Sequence, residues 1–155
     1  MPQQGIFAAL VIPVNADGDI LRASLFHHVE WLKSKGIHGI LALGSTGEFP
    51  LLSVDQRKQA LELIAEAASP LPVIANISDI RHRVVAELGR FARKLELPGV
   101  AVMPPYFYPS PPEDQLNWFL QAAEAAQLPV LLYNFPELTG NRIGLDTIQS
   151  FAERA

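Results

Sequence analysis

The 155 residues contain no cysteine, which excludes disulfides and thiolate chemistry and suits a reducing cytoplasm. Charge is scarce too. Charged residues make up 18%, the formal net charge is −4 and no basic run occurs, so nucleic acid is not an expected partner. No apolar run approaches the ~18 residues of a membrane span. Met1 to Phe7 lacks the charged start and cleavage pattern of a signal peptide. The expectation is a soluble, cytoplasmic protein without membrane contact. A G-x-x-x-x-G-K-[ST] phosphate loop is missing. The first apolar run ends in Pro13-Val14-Asn15 where a dinucleotide fold would carry G-x-G-x-x-G. His27, His28, His38 and His82 have no metal-ligand spacing. His27 and His28, adjacent on a helix, cannot both face one ion. The acidic residues are scattered, so no metal and no cofactor is expected.

Hydrophobic residues, at 49%, are plentiful, and the length suits one domain with a real core. Gly5 to Val14 is a nearly continuous apolar run, as in a buried parallel strand. A polar loop, Asn15 to Asp19, follows. Leu25, Val29 and Leu32 then mark a helix over Ser24 to Lys35, with Phe26 beside them and Gly36 as its stop. Ile37 to Leu43 reads as the second strand. Ser53-Val54-Asp55-Gln56 is a capping box opening a helix with Ala60, Leu61, Ile64, Ala65 and Ala68 on one face. Val73 to Ile77 is the third strand. Ser78 or Asp79 caps the third helix, striped by Val84, Leu88, Phe91, Ala92 and Leu95. Val100 to Met103 is the fourth strand, followed by an aromatic, proline-rich loop from Tyr106 to Pro112. The fourth helix points Leu116, Phe119, Leu120 and Ala123 inward. Pro129 to Asn134 is the fifth strand, and Gly144 to Glu153 a fifth helix with Leu145, Ile148, Phe151 and Ala152.

β and α thus alternate five times at roughly the 30-residue length of a βαβ unit. No side-chain signature repeats, which argues against a solenoid. A doubly wound open sheet and a part of an eight-fold barrel remain. In either, ligands bind at the carboxyl ends of the strands.

That places weight on Leu41 to Pro50, where the second strand runs into Gly44-Ser45-Thr46-Gly47-Glu48. Gly44 and Gly47 let the backbone come close to a ligand or take a positive φ. Ser45 and Thr46 offer hydroxyl donors to an anion. The plainer reading is a well-made βα turn. Glu48 is either a catalytic carboxylate or, the favoured role, an acceptor for backbone N–H groups of the loop. Asn76 at the end of the third strand lines the site or makes a turn. Tyr133 closes the fifth strand, where a phenol with hydroxyl neighbours serves as a general acid/base. Its plainer role is aromatic packing with the hydroxyl bonded to backbone.

Gly44-Ser45-Thr46-Gly47-Glu48, Pro104-Pro105-Tyr106, and Tyr133-Asn134-Phe135-Pro136 through Thr139-Gly140 occur in this order at successive strand ends. In this the chain resembles the dihydrodipicolinate synthase / N-acetylneuraminate lyase family from about Gly5 onward. The resemblance implies an α/β fold, here a partial (β/α)8 TIM barrel of about five βα units, with residues 1–155 the N-terminal portion of a single barrel domain. It also implies class I aldolase chemistry on pyruvate or a related 2-oxo acid, through a lysine Schiff base. Ser45, Thr46 and the Gly47 turn would bind the keto acid's carboxylate. Thr46 would pass a proton to Tyr133, the acid/base. A homo-oligomer, a tetramer in the family, is implied as well.

The chain departs from the family at three points. The resemblance puts the imine-forming lysine on a sixth strand, whereas Lys33, Lys35, Lys58 and Lys94 all fall on helices or their ends. Surface lysines there lack the desolvation that lowers an amine pKa, so this chain alone is expected to be inactive. Leu138 stands where true dihydrodipicolinate synthases carry an arginine for the second substrate's carboxylate, which leucine cannot bind. Phe107 aligns with a relay tyrosine that a neighbouring subunit supplies, for which Tyr106 or Tyr108 is a substitute. Both changes point to an aldolase or lyase with a different second substrate. The alternative is a non-catalytic carboxylate-binding or interaction protein derived from the same barrel. A complete barrel takes ~250 residues. Five units leave the first and fifth strands as edges, so the isolated chain is expected to associate or to stay partly disordered.

Overall fold

A computed structural model describes residues 4–155. They form two compact units: the chain up to Asn76 with Leu95–Pro98, and Ile77–Lys94 with Gly99–Ala155. Every strand with a described register pairs in parallel, and strand order follows chain order within each unit.

The first unit holds β1 (Phe7–Ala9), α1 (Arg22–Ser34), β2 (Gly39–Ala42), α2 (Val54–Ala68) and β3 (Val73–Asn76). Phe7 registers with Gly39 and Ile40 with Val73. β1 is far shorter than the apolar run Gly5 to Val14. The Leu10 N–H still reaches Leu41 O at 3.1 Å, but the chain then leaves the ladder, and Val14 makes an antiparallel bridge with Ile20. The segment pairs elsewhere, the Pro13 carbonyl accepting from Leu21 N at 2.9 Å. Beyond it, Asn15 Oδ1 accepts from Asp17 N and Asp19 N and bends the chain into a turn. Val11 and Val14 are accordingly exposed. α1 starts at Arg22, two residues before the predicted Ser24, and buries Leu25 and Val29. Gly36 ends it at φ +75°, as expected of a stop.

The predicted capping box exists. Gln56 N donates to Ser53 Oγ (3.2 Å) and Ser53 N to Gln56 Oε1 (2.8 Å). The buried face of α2 contains Ala60, Leu61, Ile64 and Ala68 as predicted, with Leu63 and Ala67 added and Ala65 only half-buried.

The second unit holds α3 (His82–Lys94), β4 (Gly99–Val102), α4 (Pro112–Ala126), β5 (Val130–Leu132), the short α5 (Pro136–Thr139) and α6 (Leu145–Arg154). Val100 registers with Val130. Ile77 N donates to Ala101 O at 3.0 Å, and the Tyr133 N–H to Val102 O at 2.8 Å. Ahead of α3, Asp79 Oδ1 accepts from Arg81 N at 3.0 Å, and Ser78 reaches across to β4. Its buried hydroxyl accepts from Met103 N at 2.8 Å and so ties the segment before α3 to the end of β4.

The inward face of α4 also differs from expectation. Phe119 is buried, but Leu116, Leu120 and Ala123 are only half-buried, and Gln115, Ala122 and Ala126 take their place. At Ala126 a small residue is required because α3 and α4 lie very close there. A Cβ on Gly89 would stand 3.0 Å from the Ala126 Cβ. In α6, Phe151 packs edge-on against Phe119 (6.1 Å, 71°) and fixes the buried face, with Thr147 one turn earlier. Leu145, at 83% exposure, and Ile148 and Ala152 fall outside it, against expectation.

Candidate functional site

At the carboxyl end of β2, Leu43 takes a left-handed conformation (φ 58°). Gly44 follows extended, Ser45–Gly47 make one 3-10 turn, Glu48 is left-handed (φ 50°), and Phe49–Leu51 make a second turn before the Ser53 cap. Left-handed backbone thus falls on Leu43 and Glu48, and Gly44 sits at φ −71°. Gly47 is needed for a different contact, with the chain's own backbone. A Cβ there would lie 2.9 Å from the Leu10 carbonyl oxygen. The turn closes through Gly47 N to Gly44 O (3.1 Å) and Glu48 N to Ser45 O (3.0 Å). The Thr46 N–H takes no part in these bonds. Thr46 is exposed, Ser45 half-buried and Gly47 buried. Glu48 is exposed, and its carboxylate accepts no backbone N–H among the described residues, so it does not hold the loop as expected.

Other side chains do hold the loop. Fully buried Asn76, at the end of β3, donates Nδ2–H to Leu43 O at 2.6 Å. This bond pins the residue whose left-handed φ carries strain. Arg57 of α2 is also buried; its guanidinium sits 5.1 Å over the ring of buried Phe49, and Nη2 reaches Asn76 O at 3.4 Å. Burying a guanidinium is costly unless it is partnered. A cation–π contact and a carbonyl provide that here. An arginine on the apolar face of a capped helix was the only sequence sign of it.

In the second unit, Tyr133 stands directly after β5, half-buried, its ring parallel to that of Phe135 (6.3 Å, 10°). Asn134 Oδ1 accepts from Ile143 N at 3.1 Å. The loop after β4 carries Tyr106, Phe107 and Tyr108. Phe107 is 80% exposed, holds φ +80° and meets Tyr108 edge-on at 4.8 Å. Leu138 on α5 is exposed. Ahead of α3, buried Asp79 grips Arg81 through Nε (2.8 Å) and Nη2 (3.0 Å). That hydrogen bond first, and the carboxylate charge second, raise the Arg81 pKa above its ordinary value. Arg81 therefore stays charged at any physiological pH.

Ser45, Thr46 and Gly47 thus share one turn of the first unit, and Tyr133 directly follows the last strand of the second. Clustered hydroxyls and an N–H outside its own turn's bonds are donors suited to a carboxylate. The lysines lie on helices or at their ends, as predicted. Lys33 Nζ contacts Glu30 (2.7 Å) and Ser69 O (3.1 Å), Lys35 faces the Trp31 ring, Lys58 pairs with Asp55, and Lys94 ends α3. Among the described residues, no group of three His, Asp or Glu side chains could hold a metal, and no helix is long and apolar enough to cross a membrane.

The comparisons with known proteins agree with one another. A family model described as the dihydrodipicolinate synthetase family matches residues 2–155. The 4-hydroxy-tetrahydrodipicolinate synthase of Rhizobium meliloti is 33% identical over 151 residues, covering 97% of this chain and 51% of that protein. The chloride-inhibited dihydrodipicolinate synthase of Acinetobacter baumannii, solved with pyruvate, superposes with a TM-score of 0.93 at 32% identity, over 99% of this chain and 53% of that one. YagE of Escherichia coli K12, a prophage protein also solved with pyruvate, gives 0.92 at 28% identity, over 96% of this chain and 50% of that one. The chain spans about half the length of the curated relatives it matches. Its βα units are accordingly those of a partial (β/α)8 barrel, as the alternation of elements and the strand-end motifs implied. By sequence and by fold, the chain belongs to the dihydrodipicolinate synthetase family.

Proposed function

We propose that residues 1–155 are the N-terminal portion of a single barrel domain of a cytoplasmic lyase or aldolase. The substrate is pyruvate or a related 2-oxo acid, taken through a Schiff base. The observation that carries this reading is the turn Ser45–Gly47 at the carboxyl end of β2, fixed by Asn76 below and packed against Leu10 O. It is further supported by family members solved with pyruvate. In this reading the Ser45 and Thr46 hydroxyls and the Thr46 N–H donate to the keto acid's carboxylate, as charge-assisted bonds. Fixed donors of this kind need no reorganisation when the ligand arrives. Thr46 relays a proton to Tyr133, which serves as acid and base for imine formation and for making or breaking the carbon–carbon bond.

None of the four lysines, each on a helix or at its end, is the nucleophile, so the chain alone holds a keto acid without attacking it. Leu138 and Phe107 remove a cation and a phenol from the site, which favours a second substrate other than that of a true dihydrodipicolinate synthase. Assembly is as a homo-oligomer.

The competing reading, a non-catalytic carboxylate-binding protein, rests on the same turn without the imine. Borohydride reduction in the presence of pyruvate, read by intact mass, separates the two. The chain by itself should gain no mass while calorimetry registers pyruvate binding. Extending it with the next strand should create a reducible adduct if it belongs to a lyase. An adduct on Lys33, Lys35, Lys58 or Lys94 would overturn the assignment of the nucleophile, and no pyruvate binding would overturn the site.

A further inference from the structure

Asn141, between α5 and α6, is a buried polar residue that the keto-acid chemistry does not use. Its Nδ2 donates to Pro105 O and to Tyr108 O, each at 2.7 Å, and its Oδ1 accepts from Ser110 N at 2.8 Å. A longer contact runs from Nδ2 to Thr139 O at 3.4 Å. The amide can sit only this way round. Reversed, its oxygen would face two carbonyls and its NH2 an N–H donor. One side chain therefore satisfies three backbone groups spaced along residues 105–110. Within that span Phe107 holds φ +80°, an outlier for a bulky residue. Such backbone persists only where its surroundings over-determine it.

Asn141 is itself fixed. Its N–H donates to Thr139 Oγ1 at 3.2 Å, and that hydroxyl also contacts Phe135 O at 3.1 Å. On the far side of the loop, Gln115 Nε2 donates to Ser110 O at 2.8 Å. The segment that begins with Tyr133 thus grips the loop that carries Tyr106, Phe107 and Tyr108.

We propose that Asn141 is a positioning residue. Its amide sets the conformation of the 105–110 loop and, through it, where the Tyr106 and Tyr108 hydroxyls stand relative to the segment of Tyr133. The consequence for ligand binding rests on the keto-acid reading above; the clamp rests on the hydrogen bonds alone.

The test uses the full chain and two variants. Asn141→Ala removes the clamp. Asn141→Asp keeps the acceptor for Ser110 N but points a carboxylate at two carbonyls, and its proton restores one donor on acidification. A buried carboxylate facing carbonyl oxygens takes up that proton readily. Hydrogen exchange of the 104–111 peptide, corrected for intrinsic rates, should show about tenfold lost protection in both variants at pH 8, the scale of one hydrogen bond's net contribution. At pH 5.5 protection should return in Asn141→Asp and not in Asn141→Ala. Pyruvate affinity should follow the same pattern, about fivefold weaker wherever the loop is unprotected.

Unchanged loop protection in both variants overturns the clamp. A loosened loop with unchanged pyruvate affinity overturns the positioning role and leaves Asn141 a structural staple. Should Asn141→Ala fail to fold, the pH-dependent recovery in Asn141→Asp decides alone. Lack of pyruvate binding by the unaltered protein would instead sink the keto-acid reading, with loop protection still deciding the clamp.

Discussion

Replacing Gly47 by alanine tests what positions the turn after β2. The added Cβ would meet Leu10 O at 2.9 Å and Ile12 Cγ1 at 3.4 Å. Carbon and carbonyl oxygen rest comfortably at about 3.3 Å or more, so one side must move by several tenths of an ångström. Leu10 cannot yield freely, because its own N–H is bonded to Leu41 O at 3.1 Å. The turn cannot yield freely either, since it is closed by hydrogen bonds at both Gly44 and Ser45 and its preceding residue is pinned by Asn76. Overpacking of this kind costs about 1–3 kcal/mol. At about 2–4 °C per kcal/mol for a chain of this size, the melting temperature should fall by about 2–12 °C. Gly44 is the internal control. Its φ is −71°, and a Cβ there would find its nearest atom at 3.6 Å, an ordinary contact. Gly44→Ala should therefore be neutral, or stabilise by about 0.4–1 kcal/mol through the unfolded chain. Thermal melts by circular dichroism, with urea titrations of both variants, read the difference. The reasoning is refuted if Gly47→Ala melts at or above the unaltered protein, or if Gly44→Ala is the more damaging of the two.

Asn76→Ala leaves the buried Leu43 carbonyl without its 2.6 Å donor and should cost about 1–3 kcal/mol. The urea midpoint should fall at constant slope, and an unchanged midpoint would show that the bond does not hold the loop. Ser53→Ala breaks the capping box and should cost about 0.5–2 kcal/mol. Amide exchange should quicken in the first turn of α2 before it does elsewhere, and uniform quickening would contradict a local role. Thr46→Val keeps the shape of an exposed residue, so stability should stay within about 0.5 kcal/mol. Pyruvate affinity by calorimetry should drop about tenfold or more, the loss of a bond to a charged group, and equal affinity would remove Thr46 from the site.

The βα alternation was legible because buried parallel strands are apolar runs and their helices carry separate stripes. The Ser53-x-x-Gln56 cap was legible because both partners lie within one turn of the same helix. Strand ends were not, since a ladder stops where hydrogen bonds stop and hydrophobicity continues past that point, as from Leu10 to Val14. The inward face of α4 was misread for a related reason. Periodicity favours large apolar residues, whereas close approach at Gly89 selects Ala126. In α6 a single ring contact, Phe119 with Phe151, chose the face over Leu145 and Ile148. At the candidate site, the presence of a tight turn after β2 was legible from glycines and hydroxyls at a strand end. Its supports were not. Asn76, Arg57 and Asn141 act on residues 33, 19 and 36 positions away, respectively, and no local pattern records such partners.

The most direct measurement is a pyruvate titration followed by amide chemical shifts of the ¹⁵N-labelled chain. A carboxylate held by the turn after β2 should move the signals of Ser45, Thr46 and Gly47 most, in a saturable way, with acetate competing and an uncharged ketone such as acetone leaving them in place. Shifts confined to another part of the chain, or no saturable shift at all, would contradict the site.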